Sequence, residues 1–413
     1  MSRKTEHIIA GVLGAIIIMI TLYLMLSYPY HYYWQEQNVL FSDVYRLFGH
    51  FYYYQYAGPI LQCVAFVVIL LVIGHIPYLV LRRMRLRRCA IVVLILVFIS
   101  DIYYTYLHSP FNHNYKPYQY GLSHRDFEKT LSVEMEYYFG NYHNVLQNVH
   151  NVGIQNVVIS FYYYLASAHL GLLPDNLLKI SPKELGTLQT IGEDTALAII
   201  NMMNDLYYSV GDMTYAERAA MMSCVFSPNN INMKMLKRLA EVNLVSGDTL
   251  AAMKYIRYLS KSSIYREWAV EHTPGHTMSE RVRMDIESKR RYLNNSDTLR
   301  LGDNCRVILT ELLKSNPRNE IALDYLLCTD LLLKDIELFK RDYDKYYLER
   351  GLERQKELYQ QALVIYLAGT DATEEQWSKY ITMPYVKKRF AEYNKCRGSQ
   401  DFKETYWYYF DKE

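Results

Sequence analysis

The chain has 413 residues, room for two or three domains, and a net charge of +2, which excludes the strong basic field of a nucleic-acid-binding surface. Its hydrophobic fraction of 51% counts 42 tyrosines, and a mean hydropathy of −0.14 excludes a polytopic membrane protein throughout. The apolar residues gather in the first 109 positions. Beyond them 37 basic and 39 acidic residues are spread over a chain long enough for a sizeable core.

Three apolar segments lead. Residues 8–26 carry no charge, residues 60–81 are polar only at Gln62, His75 and a few small groups, and residues 89–107 hold one acid, Asp101. About 20 helical residues cross the hydrocarbon core, so each segment is predicted to span a membrane. The first has a basic start, Arg3 and Lys4, but no small-x-small cleavage site follows it, and it reads as a retained anchor. Five arginines (Arg82, Arg83, Arg85, Arg87 and Arg88) fill the loop before the third segment, whereas residues 28–57 hold only Arg46. Short basic loops stay cytoplasmic. Three crossings with the N-terminus inside satisfy both basic clusters. They place 28–57, and everything after about 110, outside the cytoplasm, in the periplasm of a bacterium. Tyrosines and Trp34 at 23–34, and Tyr103, Tyr104 and Tyr106, fall at the headgroup level of the two exits.

An acid inside a bilayer points to function. Asp101 and His75 differ by roughly 10 Å in depth at 1.5 Å per residue, too far for a direct pair, so Asp101 is placed beside the outer tyrosine belt. Glu36 and Asp43 lie in the outward loop at the membrane surface. Enzymes acting on lipid-linked sugars place acids there, and interfacial hydrogen bonding explains the same residues without chemistry. Glu36, Asp43 and Asp101 are the candidate binding residues, and no residue is assigned a catalytic role.

From residue 110 the pattern changes. Apolar residues three and four apart predict helices over 157–171, 194–211, 231–247, 248–260, 306–317, 319–333, 335–347 and 353–369. HLGLLPD, SVGD, VSGD and KSNPRN read as helix stops and N-caps, and no alternating strand appears. The fold class is all-α: three N-terminal transmembrane helices (residues 1–109) followed by a soluble helical-repeat domain (110–413). In a tetratricopeptide (TPR-like) frame, Leu236, Leu239 and Ala240 pack the first helix, Gly247 makes the turn, and Ala252, Ile256 and Leu259 pack the second. Pro317, Leu323, Leu326, Leu327 and the turn residue Lys334 continue the frame. Gly247 and Lys334 are 87 positions apart, not a multiple of the repeat length, so the polar stretch 261–304 interrupts the array as a linker, and helices of this period also suit a generic helical bundle.

Four segments carry a resemblance: YHYYWQEQNVLF (30–41), KRRYLNNSD (289–297), NPRNEIALDYLLCTDLLLKDIELF (316–339) and ETYWYYF (404–410). In these the chain resembles an uncharacterised Bacteroides-type membrane-protein family, the domain of unknown function 6057. The resemblance implies a multi-helix membrane part before a TPR-like tail, here shortened to three spans. It implies no reaction and no catalytic residue.

Chemistry-bearing motifs are sparse. The chain has no phosphate-cradling glycine loop, no H-E-x-x-H and no G-x-S-x-G. His143 and His150 share a helix face without a carboxylate partner nearby in sequence, and His272 and His276 flank Thr-Pro-Gly in a loop; solvated or capping histidines account for both pairs without a metal. Cys63 and Cys89 fall in apolar runs. Cys224, Cys305, Cys328 and Cys396 lack zinc spacing and read as plain thiols, with a disulfide left open outside the cytoplasm. The tyrosine runs at 51–56, 160–166 and 405–410 fill helix-pair cores or line a peptide or glycan groove. No cofactor is expected. The expected partners are the lipid bilayer and a periplasmic or inner-membrane protein, with no nucleic acid. The expected function is a membrane-anchored interaction scaffold without catalysis, and the alternative is an envelope-glycan or lipid-linked-substrate factor.

Overall fold

The computed structural model describes residues 133–348 and 356–412, apart from 135, 153–155, 181–182, 184, 189–196, 227–231, 262–264, 276–277 and 294–303, together with Val92 and Ile99. The spans predicted at 8–26 and 60–81 lie outside the described residues, as do Glu36, Asp43 and Asp101. Within 89–107 only Val92 and Ile99 are described, both helical and more than half exposed. No helix among the described residues is long and apolar enough to cross a membrane. The chain divides into two units, residues 1–129 with 227–233, and residues 130–226 with 234–413. The second carries almost all that follows.

The described residues are helical, with no strand among them. After α1 (Tyr142–Val152), Asn156 accepts from the Ile159 N–H and starts α2 (Val157–His169). Gly171 and Pro174 then turn the chain into the short α3 (Leu173–Asn176), and α4 (Leu185–Leu188) follows. A hairpin joins α5 (Leu197–Val210) to α6 (Met213–Phe226). Its turn is Gly211 at φ +93°, where a Cβ would stand 2.7 Å from that of Tyr292, and Asp212 accepts from the Tyr215 N–H. A second hairpin joins α7 (Met233–Ser246) to α8 (Thr249–Leu259), with Gly247 at φ +88° and Asp248 as N-cap. Of the packing positions of the predicted helix pair, Leu239, Ala240, Ala252, Ile256 and Leu259 are buried and Leu236 is half-buried.

The polar stretch 261–304, predicted as a linker, contains two helices, α9 (Arg266–Glu271) and α10 (Glu280–Arg290). Their sequence hides them because α10 buries only Val282 and Ile286, four apart. Polar contacts fix the rest: Arg290 donates to the Val245 and Leu244 carbonyls at 3.0 and 2.9 Å, filling the orphan acceptors at the end of α7.

A third hairpin joins α11 (Cys305–Ser315) to α12 (Glu320–Leu332) through Pro317. Asn319 caps α12 by accepting from the Ala322 N–H, and its amide donates 2.7 Å to the Val210 carbonyl, tying α12 to the end of α5. Lys334 takes the left-handed conformation (φ 58°) at the turn where Gly247 stands in the preceding pair, and Asp335 caps α13 (Ile336–Asp342). A π-helical turn, Tyr343–Tyr347, extends α13. The chain closes with α14 (Glu357–Gly369), α15 (Glu374–Tyr380), α16 (Pro384–Lys395) and α17 (Tyr406–Asp411).

Two helices set the core. In α2 every residue from Val158 to Ala168 is buried, and in α12 every residue from Ala322 to Leu332. Such helices are apolar all round and need neighbours on each side. They pack on each other, and α12 also meets α3, α4, α5, α11 and α13. The tyrosine runs at 160–166 and 405–410 belong to this core, and the run at 51–56 lies outside the described residues. Tyr162, Tyr163, Tyr164, Tyr406 and Trp407 are all at most 1% exposed. The Tyr164 hydroxyl donates to the Leu177 carbonyl and that of Tyr406 to the Leu331 carbonyl, both at 3.0 Å, so these two rings are buried without stranding their polar tips, whereas the Trp407 Nε1 and the Tyr325 hydroxyl are buried without a partner among the described residues. The four described cysteines are free, with Cys328 buried and Cys396 exposed.

Candidate functional site

A cleft of about 460 Å³ opens among residues 137–140, the C-terminal end of α2, and one face each of α5, α7, α9 and α10. Asp205, Tyr208 and Ser209 come from α5, Lys234, Lys237, Arg238 and Glu241 from α7, and Arg281, Asp285 and Lys289 from α10. The three- and four-residue spacings put each set on a single helix face.

The floor is a lattice of buried charges. Lys234 Nζ lies 3.1 Å from Glu134 Oε1 and 3.1 Å from Asp205 Oδ2. The Tyr162 hydroxyl donates to the same Asp205 oxygen at 3.0 Å. Arg238 donates to Asp205 Oδ1 at 3.0 Å, to Asn204 Oδ1 at 3.1 Å and to Glu241 Oε2 at 3.0 Å. Glu134, Asp205 and Lys234 are 4%, 1% and 6% exposed, where an unpaired charge costs several kcal/mol. Burial alone would raise the Asp205 carboxyl, but Lys234 and Arg238 outweigh it and hold it below its ordinary range. For Glu134 burial wins and pushes the carboxyl up, Lys234 offsetting only part. Burial would lower the Lys234 ammonium, yet Asp205 and Glu134 hold it above its usual value.

Aromatic rings form the walls. His169 stacks on Tyr142 with ring centres 4.4 Å apart and 5° between planes, and Trp268 stacks on His272 at 4.0 Å and 20°. Cations sit on these faces: Arg238 lies 3.6 Å from the centre of the Tyr208 ring and Lys289 4.6 Å from it, and Lys237 is 4.5 Å from the Tyr138 ring. The cations of the floor are saturated with carboxylates. The ammonium of Lys289, on the rim, forms no ion pair or hydrogen bond among the described residues. Burial lowers its ammonium; Asp285 opposes that shift and Arg238 adds to it.

At the α2 end, Tyr137 Oη, His169 Nε2 and Ser209 Oγ form a triangle with sides of 3.2, 3.0 and 2.8 Å. Ser209 sits inside α5 and donates 2.6 Å to the Asp205 carbonyl, which occupies its proton. Burial, with Lys289 and Arg238 nearby, pushes the His169 imidazole down to about 3 and keeps it neutral. The cleft combines flat apolar faces with fixed charges, suited to a ligand that carries both an apolar or ring-like surface and an acidic group.

None of the candidate residues Glu36, Asp43 and Asp101 falls among the described residues. His143 and His150 share α1 and are exposed, His150 with its edge against Tyr163. His272 turns inward, its Nδ1 2.8 Å from the Trp268 carbonyl, while His276 lies outside the described residues. No group of three or more His, Cys, Asp or Glu among the described residues is placed to hold a metal ion.

The Family of unknown function (DUF6057) matches residues 85–413. The chain belongs to that family. The DUF6057 match takes in the last three arginines of the basic loop, the third predicted span and the whole helical part, cleft included. No curated protein and no solved structure matches the chain.

The cleft residues escaped the sequence reading because each, alone, resembles a solvated charge. The signal was present as K-x-x-K-R-x-x-E at 234–241, D-x-x-Y-S at 205–209 and R-x-x-x-D-x-x-x-K at 281–289, three polar faces with helical spacing.

Proposed function

We propose that this DUF6057 chain is a membrane-anchored, non-enzymatic binding protein whose TPR-like helical domain works outside the cytoplasm. It would present the cleft to an extended segment of a partner protein bearing an acidic side chain beside an aromatic or apolar one. The observation that carries the binding role is the division within the cleft: a saturated floor beneath a rim where the Lys289 ammonium sits on a tyrosine face without an ion pair among the described residues. A preorganised floor lowers the ordering cost of binding, and a cation waiting on an aromatic face selects an anion next to a flat group. Paired helices capped by left-handed turns at Gly247 and Lys334 support the repeat architecture. The apolar segments 8–26, 60–81 and 89–107 and the arginines at 82–88 support the anchor and its orientation.

A photo-crosslinking residue at Arg281, on the cleft rim, tests the binding role in cells producing the full chain. It is expected to give a discrete protein adduct that is absent with the probe at Ser288 and lost when Trp268→Ala and Lys289→Glu are added. Adducts equal at both positions, or unchanged by those substitutions, refute it. Orientation has its own reporter in the exposed Cys396 thiol. A membrane-impermeant maleimide is expected to label it once the outer membrane alone is opened. Labelling only after the inner bilayer is breached reverses the assigned topology.

The stacked rings and the 3.0 Å contact between His169 and Ser209 favour a second reading, an envelope-glycan enzyme or factor. Against nucleophilic chemistry stands the Ser209 proton, held by the Asp205 carbonyl. Ser209→Ala separates the readings: a binding protein keeps its adduct and its cellular phenotype, whereas an enzyme keeps the adduct and loses the phenotype.

A further inference from the structure

A second cavity, of about 650 Å³, shares no residue with the cleft and has a different chemistry. Five lysines line it: Lys179, Lys183, Lys334, Lys403 and Lys412. One acid, Glu404, lies among them, and none of the five forms an ion pair among the described residues. Elsewhere in the domain Lys234, Arg238, Arg306 and Lys340 sit on carboxylates. Ammonium groups converging on one concavity repel each other unless something negative enters.

The arrangement is also held in place. Lys183 Nζ donates to the Lys403 carbonyl at 3.2 Å, Lys334 Nζ to the Lys412 carbonyl, and Lys179 Nζ to Asn176 Oδ1 at 2.9 Å. Each ammonium has three N–H donors, so each keeps donors for a ligand after making its one bond to the protein. Two tyrosines back the cavity. Lys412 lies 4.8 Å from the centre of the Tyr408 ring and Lys334 5.2 Å from that of Tyr409. Main-chain anchors and ring faces restrain lysine stems that would otherwise lose entropy on binding. A multiply charged, oxygen-rich anion fits this donor set best, because compact ammonium groups from several directions suit the oxygens of phosphate.

The geometry points to this lysine cavity as a binding site for a phosphate-bearing ligand, either a soluble phosphate ester or the headgroup of an anionic lipid. The site goes beyond the function proposed for the cleft and stands or falls apart from it.

The test uses the full chain in phosphatidylcholine nanodiscs, titrated calorimetrically with inorganic pyrophosphate at near-physiological salt. Saturable binding is expected, weakened about tenfold or more in the combined variant Lys179→Gln, Lys403→Gln, Lys412→Gln, whose side chains lie outside the core and the cleft. Repeating the titration in phosphatidylglycerol nanodiscs distinguishes the sources. A weaker apparent affinity for pyrophosphate there identifies a competing lipid headgroup, and an unchanged one identifies a soluble phosphate ester. Absence of saturable binding in phosphatidylcholine, or equal binding by the variant and the parent chain, overturns the proposal. Because none of the three substitutions touches the cleft, the Arg281 adduct is expected to persist in the variant.

Discussion

Replacing Lys234 by Met is expected to destabilise the helical domain by about 3–5 kcal/mol, the cost of leaving buried carboxylates without their cation. The side chain joins Glu134 on the segment before α1 to Asp205 on α5, from its own place on α7. Methionine matches the length of the lysine stem, so the loss reports charge rather than volume. Arg238 still contacts Asp205 in the variant, but Glu134 has no other cation within ion-pair distance among the described residues. The deficit has a pH signature. Burial already raises the Glu134 carboxyl, and the variant removes the cation that offsets it, so its penalty is full above the raised value and disappears as pH falls below about 4. Urea denaturation at pH 8 and at pH 5 checks both parts. A loss under about 1 kcal/mol at pH 8, against that expectation, would show that water reaches the lattice freely. Adding Glu134→Gln is expected to restore part of the stability.

Asp330→Asn is expected to act in the opposite direction, stabilising the domain at pH 8. Arg306 on α11 joins Asp330 on α12 to Asp342 at the end of α13, and Asp330 is fully buried with one carboxylate oxygen left without a partner. Burial pushes the Asp330 carboxyl up to about 7; Arg306 opposes this and the nearby Asp342 adds to it. A carboxyl raised in the folded state gives full stability below its unfolded value near 4, and that stability is lost as pH rises towards 7. Three pH units correspond to about 4 kcal/mol, the upper bound on what an uncharged amide recovers at pH 8. Most of the gain builds between pH 5 and 7, and Arg306 stays neutralised by Asp342. Denaturation at the two pH values decides it: an equal effect at both would mean that Asp330 is ionised throughout.

The helices were legible where burial is one-sided or complete. Apolar spacing and the residues that end helices located α2, α5, α7, α8, α11, α12, α13 and α14 to within a few residues, and Gly247 and Lys334, read as turn residues, stand at turns with left-handed backbone. Where packing is polar, spacing carries no such signal. In α10 two apolar residues and the Arg290 bonds to α7 fix a helix whose sequence reads as solvated linker. The cleft was illegible for a related reason. Lys234 meets carboxylates 100 and 29 residues away, and a pairing at that separation leaves no local pattern. The lysine cavity likewise draws on residues 179–183, 334 and 403–412, three stretches that each look like ordinary surface.

The burial of α2 on every side has a bearing on how the chain is made. Its neighbours α1, α3, α4 and α5 lie close by in sequence, but α12, which packs on it too, begins about 150 residues later, so at synthesis rates of about 5–20 residues per second the side facing α12 waits on the order of ten to thirty seconds for its cover. During that interval one side of a greasy, tyrosine-rich rod is left open. A nascent chain of this design depends on a chaperone, or on slow release into its final compartment, to keep that rod from aggregating before the second half arrives.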